Sequence, residues 1–106
     1  LPELFCGFPR REGEGPTLYP VACSPQAWAA AAVFAMLQAC LGLEIDAVER
    51  TISLSRPRLP DAVDWLEVCD LRVGEASVDL LLKRYANSVG VEVMRKRGDV
   101  SVQVTV

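Results

Sequence analysis

Ser24-Pro25-Gln26-Ala27-Trp28-Ala29-Ala30-Ala31-Ala32-Val33-Phe34-Ala35-Met36-Leu37-Gln38-Ala39-Cys40-Leu41, followed by Gly42, is the stretch on which the reading of the fold turns. Its start is signalled by Ser24, whose hydroxyl can cap free amides, and by Pro25, whose fixed φ suits the first helical position. Its end is signalled by Gly42, which takes the left-handed conformation after a last helical turn without a side-chain penalty. Between those ends only Gln26 and Gln38 are polar. A surface helix has one apolar stripe and one polar face, whereas a helix apolar all round is buried on every side. Phe34, Leu37 and Leu41 mark one face; Trp28, Ala32, Ala35 and Ala39 mark another, flat enough for close helix–helix contact. Little else in the chain is helical enough to cover both. The expectation is one long buried helix, packed against helices of a larger protein or against a second copy of the chain.

Outward from that helix the sequence changes character on each side. Residues 1 to 23 contain Pro2, Pro9, Pro16 and Pro20 with Gly7, Gly13 and Gly15, a density that rules out a regular element of any length. They also carry Leu1, Leu4, Phe5, Phe8, Leu18, Tyr19 and Val21, so a packed, ordered loop is expected; long loops of that kind are often functional. After Gly42 the pattern turns to period two. Strands are predicted over 48–54, over 66–73 with a bulge near Cys69, over 77–85, and in two valine-alternating runs, Val89 to Met94 and Val100 to Val106. Gly74-Glu75, Asn87-Ser88 and Gly98-Asp99 supply the turns, and Arg56-Pro57-Arg58-Leu59-Pro60 breaks the first strand from the second. Clean alternation between tight turns predicts antiparallel pairing with one buried face and excludes a parallel α/β fold. The chain therefore reads as an α+β fragment: loop plus long buried helix over 1–43, then a small antiparallel β-unit over 44–106.

Composition narrows the function. A chain of 106 residues that is 51% hydrophobic folds as one domain at most, or as parts of two. A net charge of −3 argues against a nucleic-acid partner. Arg95-Lys96-Arg97 then reads as a solvated hairpin end rather than a phosphate site. No signal peptide is visible, and an opening without Met fits an excised piece. The Ser24–Leu41 run just reaches the lower limit for a membrane span. It is mostly alanine, carries two glutamines and lacks cationic anchors, so no membrane partner is expected and a cytoplasmic location is. The four cysteines, Cys6, Cys23, Cys40 and Cys69, form no Cys-x-x-Cys pair, and there is no histidine. That removes the usual zinc patterns, Cys–His catalysis and Ser–His triads; no metal or cofactor is expected. Cys40 in the buried helix and Cys69 in a strand should act as small reduced hydrophobes.

The polar groups of the apolar loop are the candidates for chemistry. Glu3 stands in Leu1-Pro2-Glu3-Leu4-Phe5-Cys6-Gly7-Phe8, where flanking Pro, Leu and Phe should partly desolvate it and suit it to general acid or base work. The plainer alternative is a carboxylate that caps nearby backbone or pairs with Arg10 or Arg11. Glu12 and Glu14, among glycines, read as solvated. Trp28 is either core or a flat face on which a sugar could stack. Aromatic rings exposed on a strand face would mark a glycan-binding sheet; after residue 65 the strands hold only Tyr85, which favours a structural β-unit.

Leu1-Pro2-Glu3-Leu4-Phe5-Cys6-Gly7-Phe8, followed by Tyr19-Pro20-Val21-Ala22-Cys23-Ser24-Pro25-Gln26-Ala27-Trp28-Ala29-Ala30, resembles the C-terminal end of bacterial proteins of the amylo-alpha-1,6-glucosidase (glycogen debranching) type. These belong to the glucoamylase-like glycosidases built on an (α/α)6 barrel of six helical hairpins. Leu41 to Asp46, Pro57 to Pro60, and Leu71-Arg72-Val73-Gly74 to Val78-Asp79-Leu80 look like the β-rich tail behind the barrel. The resemblance spans essentially the whole chain, and residues 1 to 30 are its specific part. It implies that the Ser24–Leu41 helix is the last of the barrel, flanked by upstream barrel helices. It implies that Glu3, in a Leu-Pro-Glu motif, is the catalytic base that activates water against an anomeric carbon of an α-glucan. Gln26 and Trp28, at the helix start, become candidate sugar contacts. The general acid has no match here and would lie upstream, so the isolated chain is expected to be inactive. The rival reading is a non-catalytic accessory or protein-interaction module.

Overall fold

The computed structural model describes residues 1–106 and divides into two compact units, Leu1–Leu37 and Gln38–Val106. One helix, α1 (Ala27–Leu41), starts in the first unit and ends in the second. The remaining elements are strands: β1 (Leu43–Asp46), β2 (Thr51–Ser55), β3 (Trp65–Val73), β4 (Ala76–Arg84), β5 (Val89–Arg97) and β6 (Ser101–Thr105).

The expectation of a long buried helix from an (α/α)6 barrel is overturned. The chain is mostly β, and α1 has 15 residues with only Leu41 buried. Trp28 is 69% exposed and Phe34 73% exposed. The apolar composition of the run was read correctly as helix-forming, but burial needs an opposing surface. All buried side chains lie between Leu41 and Val100. The helix also starts later than its signals suggest. Ala30 N donates to Gln26 O at 3.1 Å, which makes Gln26 the first residue to accept a helical bond; Ser24 caps nothing. At the other end Gly42 is left-handed (φ 55°), as read, and a Cβ there would run into the Ser55 carbonyl oxygen. That close approach lets Gly42 O accept from Ser55 N at 3.0 Å and turns the chain directly into β1.

The strands form two three-stranded sheets. In one, β3, β4 and β5 are an antiparallel meander in sequence order. Here the period-two reading holds: Ala76, Val78, Leu80 and Leu82 of β4 are buried, while Ser77, Asp79 and Leu81 are half-buried and Lys83 is exposed. The bulge read near Cys69 is present, as the register with β4 slips between Val68 and Leu71 and Asp70 has φ 51°. The other sheet has the order β1-β2-β6; β1 is antiparallel to β2, but β6 runs parallel to it, pairing Ile52 with Val102 and Leu54 with Val104. Gly98-Asp99 is therefore not a hairpin turn. It passes the chain from one sheet to the other, a step that local alternation does not encode because both pairings present the same period.

The core of the second unit contains Leu41, Ile52, Leu54, Leu59, Val78, Leu80, Leu82 and Val100. The strand-breaking segment 56–60 is folded into it through Pro57 and Leu59. Arg84 holds that segment in place: its Nη2 donates to the carbonyls of Leu59 (2.8 Å), Pro60 (2.6 Å) and Val63 (3.0 Å).

Candidate functional site

Glu3 lies in the first unit, where two extended limbs run side by side. Gln26 N donates to Leu1 O at 2.9 Å, Glu3 N to Cys23 O at 2.8 Å and Cys6 N to Thr17 O at 2.8 Å; Phe5 and Leu18 form an antiparallel bridge. Prolines interrupt the ladder, so the limbs never become a sheet. This frame fixes the backbone of Glu3 and leaves its side chain outside. One carboxylate oxygen, Oε2, accepts from Cys23 N at a long 3.4 Å. Neither Arg10 nor Arg11 pairs with it; Arg11 faces Glu14 at 4.0 Å instead.

The desolvation expected for Glu3 is absent: the residue is exposed, and so are Leu1, Leu4, Phe5 and Phe8. The apolar neighbours in sequence point to solvent rather than over the carboxylate. Glu3 therefore combines a fixed backbone with a solvent-facing oxygen, an arrangement that can bind and orient a water. Gln26 is joined to the same ladder through its backbone, which carries both the bond to Leu1 and the first helical bond. Trp28, in the first turn of α1, presents its ring to solvent. A cleft of about 510 Å³ in this unit is lined by Cys6, Phe8, Arg10, Arg11, Glu14 and Thr17 among others, and not by Glu3, Gln26 or Trp28.

No group of three Cys, Asp or Glu side chains converges as a metal site would require. The cysteines are all unpaired; Cys6 is half-buried and Cys23, Cys40 and Cys69 are exposed, so Cys40 and Cys69 are not the small core hydrophobes that the sequence suggests. For Cys40 the reason is the exposure of α1; for Cys69 it is strand alternation, which puts it with the exposed Trp65 and Glu67 on the open face of β3.

The charged cluster of the meander has a structural role. Arg95 Nε contacts Asp79 Oδ2 at 2.6 Å, and Asp79 Oδ1 accepts from the Asp70 amide at 2.8 Å, pinning the bulge. Asp70 in turn pairs with Arg72 at 2.7 Å. The Arg95 guanidinium and then the Asp70 amide hold the Asp79 carboxyl below the usual carboxylate range, and the Arg72 side chain does the same for Asp70. Desolvation by its neighbours on the sheet, exposed though the residue is, pushes the Cys69 thiol up, with the Glu67 and Asp79 charges adding to it. Lys96 Nζ donates to Val100 O at 3.1 Å. Two of the three basic residues read as a solvated hairpin end are thus engaged within the fold. The Arg95 partner lies 16 residues away on the neighbouring strand, and the Lys96 partner is a backbone carbonyl four residues on, so neither leaves a mark in side-chain spacing.

No protein-family model, no curated protein and no solved structure matches this chain. No helix is long and apolar enough to cross a membrane.

Proposed function

We propose that this chain is the C-terminal part of a cytoplasmic glycoside hydrolase acting on α-linked glucans, of the amylo-alpha-1,6-glucosidase type, and that Glu3 is its catalytic base. The observation that carries the reading is Glu3 itself, a carboxylate of a Leu-Pro-Glu motif whose backbone is braced at 2.8 Å by Cys23 O and whose side chain faces solvent. Activating a water requires a carboxylate free of an ion pair, and Glu3 pairs with no cation; its backbone is held while its side chain stays open to solvent. Gln26 and Trp28 supply an amide and a flat ring near the same ladder for a sugar. In an inverting reaction the base and the general acid stand roughly 6.5–9.5 Å apart to admit the water. The acid comes from another part of the protein, so the chain alone does not hydrolyse glucans.

The test is glucan hydrolysis by the longest natural protein that contains this segment, with Glu3 and with Glu3→Gln. Gln is nearly isosteric but cannot take the proton of water. A fall of roughly 10²–10⁴-fold with the fold intact by circular dichroism is the expected result. Full activity in Glu3→Gln would end the assignment.

A second reading, a non-catalytic interaction module, is favoured by α1. Trp28, Val33, Phe34 and Met36 are each exposed, spread around a helix with almost no polar residues. Its partner would be an apolar surface, on another part of the same protein or on a second copy. Phe34→Asp with Met36→Asp should lower self-association in sedimentation velocity while leaving the melting temperature within a few degrees, since neither side chain is buried. An unaltered sedimentation profile would remove self-association from this reading.

A further inference from the structure

Three residues other than glycine hold a left-handed backbone: Arg50 (φ 50°), Arg56 (φ 47°) and Asp70 (φ 51°). A positive φ is costly for a residue with a Cβ and persists where the surroundings impose it, often at functional positions. For two of the three the fold uses the side chain. Arg50 pairs with Asp99 at 2.9 Å, and Asp70 with Arg72 at 2.7 Å. Arg56 has no such use: its guanidinium makes no hydrogen bond or ion pair, and only its amide is engaged, with Thr105 O at 2.6 Å. Arg58, two residues on, is in the same position; its amide donates to Cys40 O at 2.9 Å and its side chain is free. Both exposed arginines flank the buried Pro57, so they spring from backbone that is fixed at each end.

The two arginines line a cleft of about 480 Å³ within the second unit, together with Arg84, Tyr85 and Asp61. Three arginines thus line the cleft with one acidic side chain, Asp61, and with the last residue, Val106, in a chain whose net charge is −3. Arg84 is occupied by the carbonyls of the 59–63 segment and forms part of the wall. Tyr85 is 59% exposed but not loose. Its amide donates to Ser88 O at 2.8 Å, and its ring lies across Gly90, where an added Cβ would come within 2.7 Å of Cε2. The missing side chain at Gly90 is what lets the ring lie against the neighbouring strand. The cleft therefore presents two unpaired, backbone-anchored guanidiniums beside a seated aromatic face. Guanidinium forks match phosphate oxygens in charge and in planar, two-pronged geometry.

We propose that this cleft binds a phosphate monoester, with Arg56 and Arg58 taking the phosphate oxygens and the Tyr85 ring supporting the organic group. It stands apart from the Glu3 reading and survives if that reading fails. Amide NMR of the whole chain, titrated with inorganic phosphate and with phenyl phosphate at constant ionic strength, tests it. Saturable shifts at Arg56, Arg58 and Tyr85 are expected with both probes, and phenyl phosphate should bind the tighter. Arg58→Gln should weaken both by about tenfold or more, the scale of a lost charge-assisted pair. Arg56→Gly is the discriminating variant: glycine adopts φ 47° freely, so the protein should melt no lower than wild type while phosphate binding falls. Tyr85→Ala should weaken phenyl phosphate and spare inorganic phosphate, and Asp61→Asn should tighten both. Unsaturable shifts spread over the surface, or equal affinity in wild type, Arg56→Gly and Arg58→Gln, would overturn the proposal; selective binding of inorganic phosphate with no gain from the phenyl group would overturn the monoester assignment.

Discussion

Single residues separate what local sequence encodes from what it does not. Gly42 was legible, because a glycine after an apolar helical run is the usual left-handed stop. What sequence could not supply was the second reason for glycine there, the Ser55 carbonyl packed where a Cβ would stand. Gly42→Ala should therefore cost more than a helix terminus alone would suggest, roughly 1–3 kcal/mol from the forced φ and the clash together. Urea unfolding followed by far-ultraviolet circular dichroism measures it, and a midpoint equal to wild type would show that Ser55 moves aside freely. Glu3 stands at the opposite extreme. Its motif singled it out, yet its neighbours in sequence misjudged its solvation, since Leu4, Phe5 and Phe8 do not fold over it. Arg84 was missed altogether. Its carbonyl partners at residues 59 to 63 carry no identity that a sequence pattern could reveal.

Among the elements, β4 shows sequence reading at its strongest and α1 at its weakest. In β4 alternation of side-chain character maps directly onto alternation of burial, because successive side chains of a strand point to opposite faces and one face is covered, although the ladders to β3 and to β5 each slip once. In α1 composition named the element but not its environment. The β3 bulge was visible as a slip in the pattern at Cys69; the Arg95–Asp79 pair and the Asp70 amide bond to Asp79 that pin it were not. Those contacts yield a pH dependence of stability. Asp79 and Asp70 both have a lowered pKa in the folded chain, so their contribution is complete above the unfolded carboxylate value near about pH 4 and is lost as pH falls through the lowered folded values. Urea midpoints should decline on acidification below about pH 4. In Arg95→Gln the decline should be shallower, because the first cause of the Asp79 shift is gone. An identical acid profile in wild type and Arg95→Gln would assign the loss to other carboxylates. Side-chain exposure is 15% for Asp79 and 44% for Arg95, so solvent screens this pair only in part.

For the whole molecule, burial is confined to one of its two units. The first, Leu1–Leu37, has no buried side chain, whereas the second holds Ile52, Leu54, Val78, Leu80 and Leu82 at or near zero exposure. Amide hydrogen exchange should follow this division, since protection tracks the apolar contacts that must open. The slowest amides are expected in β2 and β4, and those of residues 1 to 26 should exchange far faster. Comparable protection in both units would mean that the first is held by a surface other than its own. The sequence by itself determined the positions of most elements: the helix and its glycine stop, the turns at 74–75 and 87–88, the meander strands and the bulge. These follow from backbone preference and from side-chain period, both written over a few adjacent residues. Tertiary structure alone decided the exposure of α1, the parallel pairing of β6 with β2, the Arg84 clip and the open guanidiniums of Arg56 and Arg58. Each of these depends on which distant surface meets the residue, and neither period nor composition records that.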